Sequence, residues 1–258
     1  MRLLRPALLV TLAFVLAGCF QVASTLTVRP DGSALLEDRF TFTGLAAFAM
    51  AEAAADDSSD VAFHERAAAL GEGVQLVSVE RDEDGFTAVY SVPDVRRLRY
   101  TSPDPGLGED DEDETVADES LTLAFDFDEG NPAVLRIVVP EDAPDEDASE
   151  DAASGAPTEE ELQETRSAFR MARALLGDAR MTVDVVVEGE VVETDAALVD
   201  ESTVTVYDLH MDAVFEAMEE DPRLMEGPKL SGDRMRALLA GREGVHLEEP
   251  GTVTVRFR

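Results

Sequence analysis

The sequence predicts an α+β fold, with antiparallel sheets built from hairpins and several packed amphipathic helices. Three observations support this prediction: segments that alternate apolar and polar residues, turn signals between those segments, and stretches with apolar residues three and four positions apart. Alternation with period two is typical of a half-buried strand, and tight turns join strands that pair antiparallel. We expect about eleven short strands in the chain on this basis.

Four segments show the strand pattern most clearly. One face of each strand would carry Val22, Leu26 and Val28; Phe86, Ala88, Tyr90 and Val92; Leu121, Leu123, Phe125 and Phe127; and Val253, Val255 and Phe257. Turn residues separate the strands at 29–33 (RPDGS), 82–85 (DEDG), 128–132 (DEGNP), 188–190 (EGE) and 248–251 (EEPG). Proline presets φ and glycine accepts positive φ, so these stretches are typical of hairpin turns.

Helices are expected in five stretches. The clearest covers 158–176, where Thr158 and Glu161 form a capping-box pattern and Gly177 follows as a stop signal. Others are predicted at 209–219 and 231–241, and two more within GLAAFAMAEAAA and VAFHERAAALG, residues 44–55 and 61–71. We interpret the methionines and phenylalanines in these stretches as core residues.

Two acidic segments divide the chain. Residues 102–118 and 141–157 contain GEDDEDE and EDAPDEDASEDAASGAP, which hold too few apolar residues to offset the entropy of ordering. The predicted organisation is a signal peptide at 1–18, an N-terminal hairpin and helix part at 19–140, an acidic linker or loop at 141–157, and a C-terminal part of the same domain at 158–258.

The N-terminus carries a secretion signal. Arg2 and Arg5 precede an apolar run from Ala7 to Ala17, interrupted only by Thr11, which is too short to span a bilayer as a helix. The run ends in Leu16-Ala17-Gly18-Cys19, which resembles the bacterial lipobox, and Cys19 is the single cysteine of the chain. We therefore predict lipidation at Cys19 and cleavage between Gly18 and Cys19; the alternative is a buried structural cysteine in an uncleaved N-terminal helix.

The net charge of the chain limits the classes of molecule that it can bind. The formal net charge is −35, and removal of residues 1–18, which hold two arginines and no acid, changes it to −37. Such a polyanion is repelled by nucleic acid, so we expect no nucleic-acid partner. Acids occur in nearly every segment, and Lys229 is the single lysine, which indicates adaptation to a salty exterior; the alternative is a binder of divalent cations.

No motif predicts a catalytic, metal or cofactor site. His64, His210 and His246 show no metal-ligand spacing, and the sequence lacks a nucleophile elbow, a phosphate loop and a dinucleotide fingerprint. The only basic cluster is Arg96, Arg97 and Arg99. Its expected partners are the protein's own carboxylates, and the alternative is contact with lipid headgroups beneath a tethered domain.

Several motifs resemble bacterial lipoproteins with an LppM-type domain. They are Cys19, then TLTVRPDGSA with Asp31 and Gly32 in its turn, RMTVDVVVEGEVVETDA from Arg180, and STVTVYDL from Ser202. The resemblance implies a lipid-anchored α+β envelope domain in a family mostly of unknown function. Many relatives carry a C-terminal membrane helix; this sequence stops at Arg258 without one, so a membrane-spanning role is not expected.

The expected function is a non-enzymatic binding or assembly module in the cell envelope, anchored in the membrane through Cys19, with an unknown envelope ligand or protein partner and no cofactor. Phe20 after the cysteine favours the outer membrane in a diderm host; otherwise the outer face of the cytoplasmic membrane is expected. One alternative is an envelope hydrolase whose site is not visible in sequence, which would show a pocket with a buried acid or histidine of shifted pKa. The other is an acidic structural spacer.

Overall fold

The computed structural model describes residues 20–43, 59–103, 121–140, 167, 169–174, 176–220 and 232–258. The predicted signal peptide, Cys19, the helix expected at 44–55 and almost all of both acidic segments lie outside these ranges. Within them, strands predominate over helices, so the mixed α+β class is confirmed.

The described residues form thirteen strands, three helices and a 3-10 helix at Val95–Arg97, and residues 167, 169–174 and 176 are also helical. The helices are α1 (Ser59–Leu70), α2 (Met211–Glu220) and α3 (Gly232–Leu239). The strands are β1 (Phe20–Val28), β2 (Ala34–Phe42), β3 (Gln75–Asp82), β4 (Gly85–Val92), β5 (Arg99–Thr101), β6 (Thr122–Asp128), β7 (Ala133–Val139), β8 (Arg180–Val187), β9 (Val191–Thr194), β10 (Val199–Asp200), β11 (Thr203–His210), β12 (Val245–Leu247) and β13 (Gly251–Phe257).

The strands build two sheets, and each sheet takes strands from both parts of the chain. Sheet A has the order β10-β11-β8-β1-β2-β4-β3, with β12 paired to β11, and sheet B has the order β5-β6-β7-β13-β9. Pairing is antiparallel as predicted, except that β1 and β8 run parallel. This pair differs from the expectation because β8 enters the sheet about 150 residues after β1, so no hairpin fixes its direction.

One face of sheet A, here called the inner face, carries the core. Along β1 it consists of Phe20, Val22, Ser24, Leu26 and Val28, all buried. At the Val28 end, sheet B covers this face, and the apolar side chains of both sheets join in one cluster. The β1–β2 turn contributes to this contact, because Gly32, at φ +80°, lies so close to the ring of Phe127 that an added Cβ would be 2.8 Å from it.

At the Phe20 end of β1 the inner face carries an aromatic cluster. The rings of Phe40 and Phe86 stack with centroids 4.5 Å apart, and those of Phe20 and Phe42 lie 5.3 Å apart. Phe63 of α1 closes the cluster on one side, edge-on to Phe86 at 5.2 Å. The two ends of β1 are therefore packed by different partners, sheet B at one end and helical residues at the other.

The expected set of several packed amphipathic helices is not supported. Helices α2 and α3 pack against each other over Leu209 of β11, through Val214, Ala217 and Leu239. Helix α1 leaves many side chains in solvent, with Val61 56% exposed. The physical reason is that sheet B, rather than helices, covers most of the inner face. No helix in the described ranges is long and apolar enough to cross a membrane.

Two of the predicted helices can be compared with the structure in more detail. Residues 167, 169–174 and 176 are helical, within the predicted 158–176 helix, and Phe169 packs edge-on against Phe215 of α2 at 5.4 Å. Helix α2 begins at Met211 rather than at 209, because β11 stays paired with β8 as far as His210 and Arg180. The strand pairing therefore overrides the local helical pattern at the start of α2.

Candidate functional site

A polar row interrupts the apolar inner face at the middle of β1 and β2. Ser24 and Asp38 are cross-strand partners, and the hydroxyl of Ser24 donates to Oδ1 of Asp38 at 2.6 Å. Nε of Arg66, from α1, donates to Oδ2 of the same carboxylate at 2.7 Å. The side chain of Asp38 is 1% exposed and that of Arg66 18% exposed, so this is a buried ion pair.

Arg66 also joins the two sheets. Its Nη2 donates to the backbone carbonyl of Thr101 at 3.2 Å, which connects α1 to β5 of sheet B. One side chain thus holds a helix, the centre of sheet A and the edge of sheet B together. Removing it would leave the carboxylate of Asp38 buried with a serine hydroxyl as its remaining hydrogen-bond donor among the described residues.

Two buried tyrosines complete this polar network, defined here as Ser24, Asp38, Arg66, Tyr90 and Tyr100. The hydroxyl of Tyr90 lies near Arg66 and that of Tyr100 near Ser24, but within the described residues neither makes a hydrogen bond of good geometry. Burial, and then the charge of Asp38, raise the pKa of Tyr90 to about 12. The same two causes raise the pKa of Tyr100. Both hydroxyls therefore stay neutral across the physiological pH range.

The hydroxyl and carboxylate groups of Ser24 and Asp38 bond to each other and to Arg66. A serine nucleophile needs an adjacent general base, usually a histidine, whereas the hydroxyl of Ser24 donates a hydrogen bond to a carboxylate that also pairs with Arg66. His64 lies on the same helix as Arg66 but is exposed. Among the described residues, the hydroxyl of Ser24 contacts the carboxylate of Asp38 and no histidine.

The structure has a second candidate, an open cleft of about 660 Å³ between α3 and β12. Leu239, Val245, Leu247 and Pro250 form its apolar side, and Arg236 and His246 contribute polar groups. The buried carboxylate next to it, Glu248, does not line the cleft; its Oε1 accepts the backbone N–H of Ala197 at 2.7 Å and lies 3.7 Å from Nε2 of His246. The cleft and the buried acid are therefore adjacent but separate.

The described residues bring together no set of three metal-ligating side chains. His64 is exposed on α1, His210 ends β11 with Nε2 3.7 Å from Oδ1 of Asp208, and His246 lies in β12. Each of the three histidines thus occupies a different element. The hydrolase alternative, which needs a pocket holding a shifted acid or histidine, stays a prediction.

Arg96, Arg97 and Arg99 lie at the Val28 end of sheet A, because the N–H of Val95 donates to the carbonyl of Gly32 in the β1–β2 turn. Arg96 makes two hydrogen bonds to Asp94, at 2.8 and 2.9 Å, which raise its pKa and lower that of Asp94.

The remaining two arginines also have partners inside the protein. Arg97 pairs with Glu72 at 3.2 Å, and Arg99 donates to the backbone carbonyls of Arg96 and Leu98. Arg96 and Arg97 therefore pair with the protein's own carboxylates, and lipid contact by the three arginines stays a prediction.

The predicted lipidation residue lies one peptide bond from the folded domain. Cys19 and Gly18 are outside the described ranges, and β1 begins at Phe20. Phe20 pairs with Phe42 of β2, and Gln21 pairs with Thr41 of β2 and Arg180 of β8. Any group attached at Cys19 would therefore be held at one end of the central strand of sheet A.

Comparison with known proteins gives one weak similarity. No family model matches the sequence, and no curated protein matches it. Among solved structures, the chain is similar to the NMR structure of the folded domain of LppM from Mycobacterium tuberculosis, at 11% identity and a TM-score of 0.29, over 92% of this chain and 90% of that one. This is a weak likeness of fold, so membership of the LppM-type family stays a prediction.

Proposed function

We propose that this chain is an envelope lipoprotein, anchored through acyl groups on Cys19, whose folded domain is a non-enzymatic binding or assembly module. The observation that carries the proposal is the coincidence of two boundaries. The sequence Leu16-Ala17-Gly18-Cys19 ends the predicted signal, and β1 begins at the next residue, Phe20. Cleavage before Cys19 would thus remove the signal and leave the described domain complete.

Anchoring through lipid at this point has a physical consequence. Acyl chains contribute about 0.8 kcal/mol per buried methylene, so two or three chains hold a protein stably at a membrane. Because β1 lies in the middle of sheet A, paired on both sides, the tether is attached to a rigid element rather than to a flexible linker. The domain would therefore be held close to the bilayer.

A binding or assembly role is favoured over hydrolysis by the way the buried acids are used. Asp38 is neutralised by Arg66, and Glu248 accepts a backbone N–H, so both carboxylates have internal partners. A general acid or base must instead face a reacting group. The ligand or partner of the module is unknown, and the outer membrane is the proposed location in a diderm host.

The test is mass spectrometry of the mature N-terminus from a bacterial host, with fractionation of the membranes. The expected product begins at Cys19 and carries a diacylglyceryl thioether, and Cys19→Ser should remain unprocessed or become soluble. Gly18→Ala is the matched control, since it keeps a small residue and the cysteine and should be processed normally. A Cys19→Ser protein that is still cleaved before residue 19 and membrane-bound would contradict the proposal.

A further inference from the structure

The open cleft between α3 and β12 runs along a free edge of sheet A. Strand β12 pairs with β11 on one side, and on its other side no strand in the described part of the chain pairs with it. Helix α3 lines the opposite wall of the cleft. Nη1 of Arg236 in α3 donates to the carbonyl of Glu248 at 2.9 Å, which holds the helix beside the strand. The cleft is therefore a groove, the β12 groove, with a helix on one side and a strand edge on the other.

The backbone of β12 presents hydrogen-bonding groups to this groove. The N–H of Glu248 donates to the carbonyl of Val206 in β11 at 3.0 Å, and His246 pairs with β11 as well. Because backbone groups of successive residues in a strand point to opposite sides, those of Leu247 point away from β11, and so does the carbonyl of Val245. Within the described ranges, these two carbonyls and one N–H have no strand partner.

The side chains of the β12 groove leave room for apolar residues at alternate positions. The helix wall consists of small residues, Ala237, Ala240 and Gly241. On the strand, Val245 and Leu247 are half-buried and pack against the cluster formed by α2 and α3. Residues directly opposite each other in paired strands share a face of the sheet. A strand added to β12 would therefore direct its side chains opposite Val245 and Leu247 toward the helix wall.

Both ends of the β12 groove carry a negative charge. Glu243 lies in the turn before β12 and Glu249 follows the strand; both are exposed, and among the described residues neither carboxylate has a hydrogen-bond or ion-pair partner. They lie six positions apart, which is about 20 Å along an extended chain. Arg236 and Arg242 of the same region bond to groups within the protein. The charges that remain for a partner are therefore the two carboxylates.

We propose that the β12 groove binds an extended segment of a partner protein, which adds to β12 as a further strand and carries basic residues on both sides of two alternating apolar residues. This inference specifies the partner of the proposed binding module and does not depend on the lipid anchor. Three backbone hydrogen bonds to Val245 and Leu247 would provide affinity. The apolar side chains against α3, and the basic ones near Glu243 and Glu249, would provide selectivity.

Two other occupants fit the β12 groove less well. A pocket for a small molecule buries about 70–90% of the ligand surface, whereas this cleft is open along its length. A second copy of the chain has the same formal net charge of −35, so it would be repelled by the acidic ends of the groove. An extended basic segment has neither disadvantage.

The longer edge strands of the two sheets are less suited to strand addition. The pairing of β3 with β4 shifts between Leu76 and Ser78, so Val77 is bulged, and Val192 is bulged in β9 in the same way. Bulges twist an edge and interrupt its pairing, and they protect edges against further strands. The pairing of β12 with β11 shows no such shift, so its edge remains regular.

The experiment uses the full chain in detergent micelles, with or without lipid on Cys19, in about 150 mM NaCl to screen non-specific attraction. The probe is the fluorescein-labelled peptide Lys-Thr-Val-Thr-Val-Thr-Lys, and binding is followed by fluorescence anisotropy. The matched control peptide has both valines N-methylated, which keeps the charge and removes two backbone donors. Hydrogen exchange with mass spectrometry locates the bound peptide on the protein.

Four variants test the site. Ala240→Trp fills the helix wall, and Glu249→Lys reverses one end charge at an exposed position that the fold does not need. Their controls are Ala69→Trp, exposed on α1, and Glu83→Lys, exposed at the end of β3. Circular dichroism checks that each variant is folded.

We expect saturable binding, slower exchange at 245–248, and affinity that is about tenfold lower for the N-methylated peptide. Ala240→Trp and Glu249→Lys should each weaken binding several-fold, and the two controls should not. Equal binding of the N-methylated peptide would show attraction by charge alone and overturn the inference. Slower exchange in β3, with weaker binding in Glu83→Lys, would overturn the site but leave a binding role. The absence of saturable binding would also overturn it, and would leave the lipid anchor to its own test.

Discussion

The buried ion pair of Asp38 and Arg66 allows a quantitative test of the fold, by replacing Arg66 with methionine. Methionine keeps much of the length of the arginine side chain, so the change removes the charge and the hydrogen bonds rather than the packing. The side chain of Asp38 is 1% exposed, and among the described residues Ser24 is then its remaining hydrogen-bond donor. It also breaks the bond from Arg66 to the carbonyl of Thr101.

The expected loss is large because the remaining charge cannot reach water. Removing one partner of a buried ion pair costs about 3–5 kcal/mol, and the lower end applies here since Arg66 is 18% exposed. For a domain of this size, each kcal/mol lowers Tm by about 2–4 °C, so Arg66→Met should lower Tm by roughly 6–12 °C. Replacing both partners, in Asp38→Leu with Arg66→Met, should restore most of the loss, because no unpaired charge remains.

The assay is urea unfolding, followed by circular dichroism, of residues 20–258 in 1 M NaCl, where the Debye length is about 3 Å and the repulsion among surface acids is screened. The matched control is Arg39→Met, which breaks the exposed pair with Glu37 and should cost less than about 1 kcal/mol. Two results would show that the assignment of a buried, structural ion pair is wrong. One is that Arg66→Met lowers the free energy of unfolding no more than Arg39→Met does, and the other is that the double variant is less stable than Arg66→Met alone.

Two further predictions concern single features of the fold. In urea unfolding, Gly32→Ala should lower the free energy of unfolding by about 1–3 kcal/mol more than Gly241→Ala does. The two glycines have similar φ, +80° and +75°, but only Gly32 lies against another group, the ring of Phe127. Equal losses of stability would show that the β1–β2 turn does not pack on sheet B. The three tyrosines, Tyr90, Tyr100 and Tyr207, all have raised pKa values, about 12 for Tyr90 and Tyr207, chiefly through burial. Their contribution to stability is complete below pH 10, the ordinary tyrosine pKa, and is lost as pH rises toward about 12. Tyrosinate absorbance should therefore appear together with unfolding, and titration of any tyrosine near pH 10 in the folded protein would contradict its burial.

The polar row of the inner face had a signal in the sequence. Alternation in VASTLTV places Val22, Leu26 and Val28 on one face, and the residue between them on that face is Ser24. In β2 the same alternation places Asp38 between Leu36 and Phe40. Two polar residues at the centre of two apolar stripes, joined by a short turn, predict a cross-strand pair. The partner, Arg66, could not be predicted this way, since α1 reaches the row only through tertiary packing.

Other features of the fold have no local signal at all. Alternation predicts that 180–187 is a strand but not that it lies parallel to β1, because residues far apart in sequence decide that pairing. The face of sheet A opposite the core has no local signal either. In the sequence, its threonines are simply the polar residues that alternate with apolar ones in each strand. Only the order of strands in sheet A shows that these threonines form one continuous surface.

The polar row also restricts the register of the hairpin of β1 and β2. Slipping β2 by two residues along β1 would keep its apolar side chains on the inner face, so the apolar pattern alone tolerates that slip. The slip would place the carboxylate of Asp38 opposite Val22 or Leu26 rather than Ser24, which leaves a buried charge facing an apolar side chain. Arg66 restricts the register further, since its guanidinium also contacts Thr101 of sheet B at a fixed height. The buried charge therefore reinforces the register that the short β1–β2 turn also fixes, and the same pairing places Ala23, Thr25 and Thr27 together on the face of sheet A opposite the core.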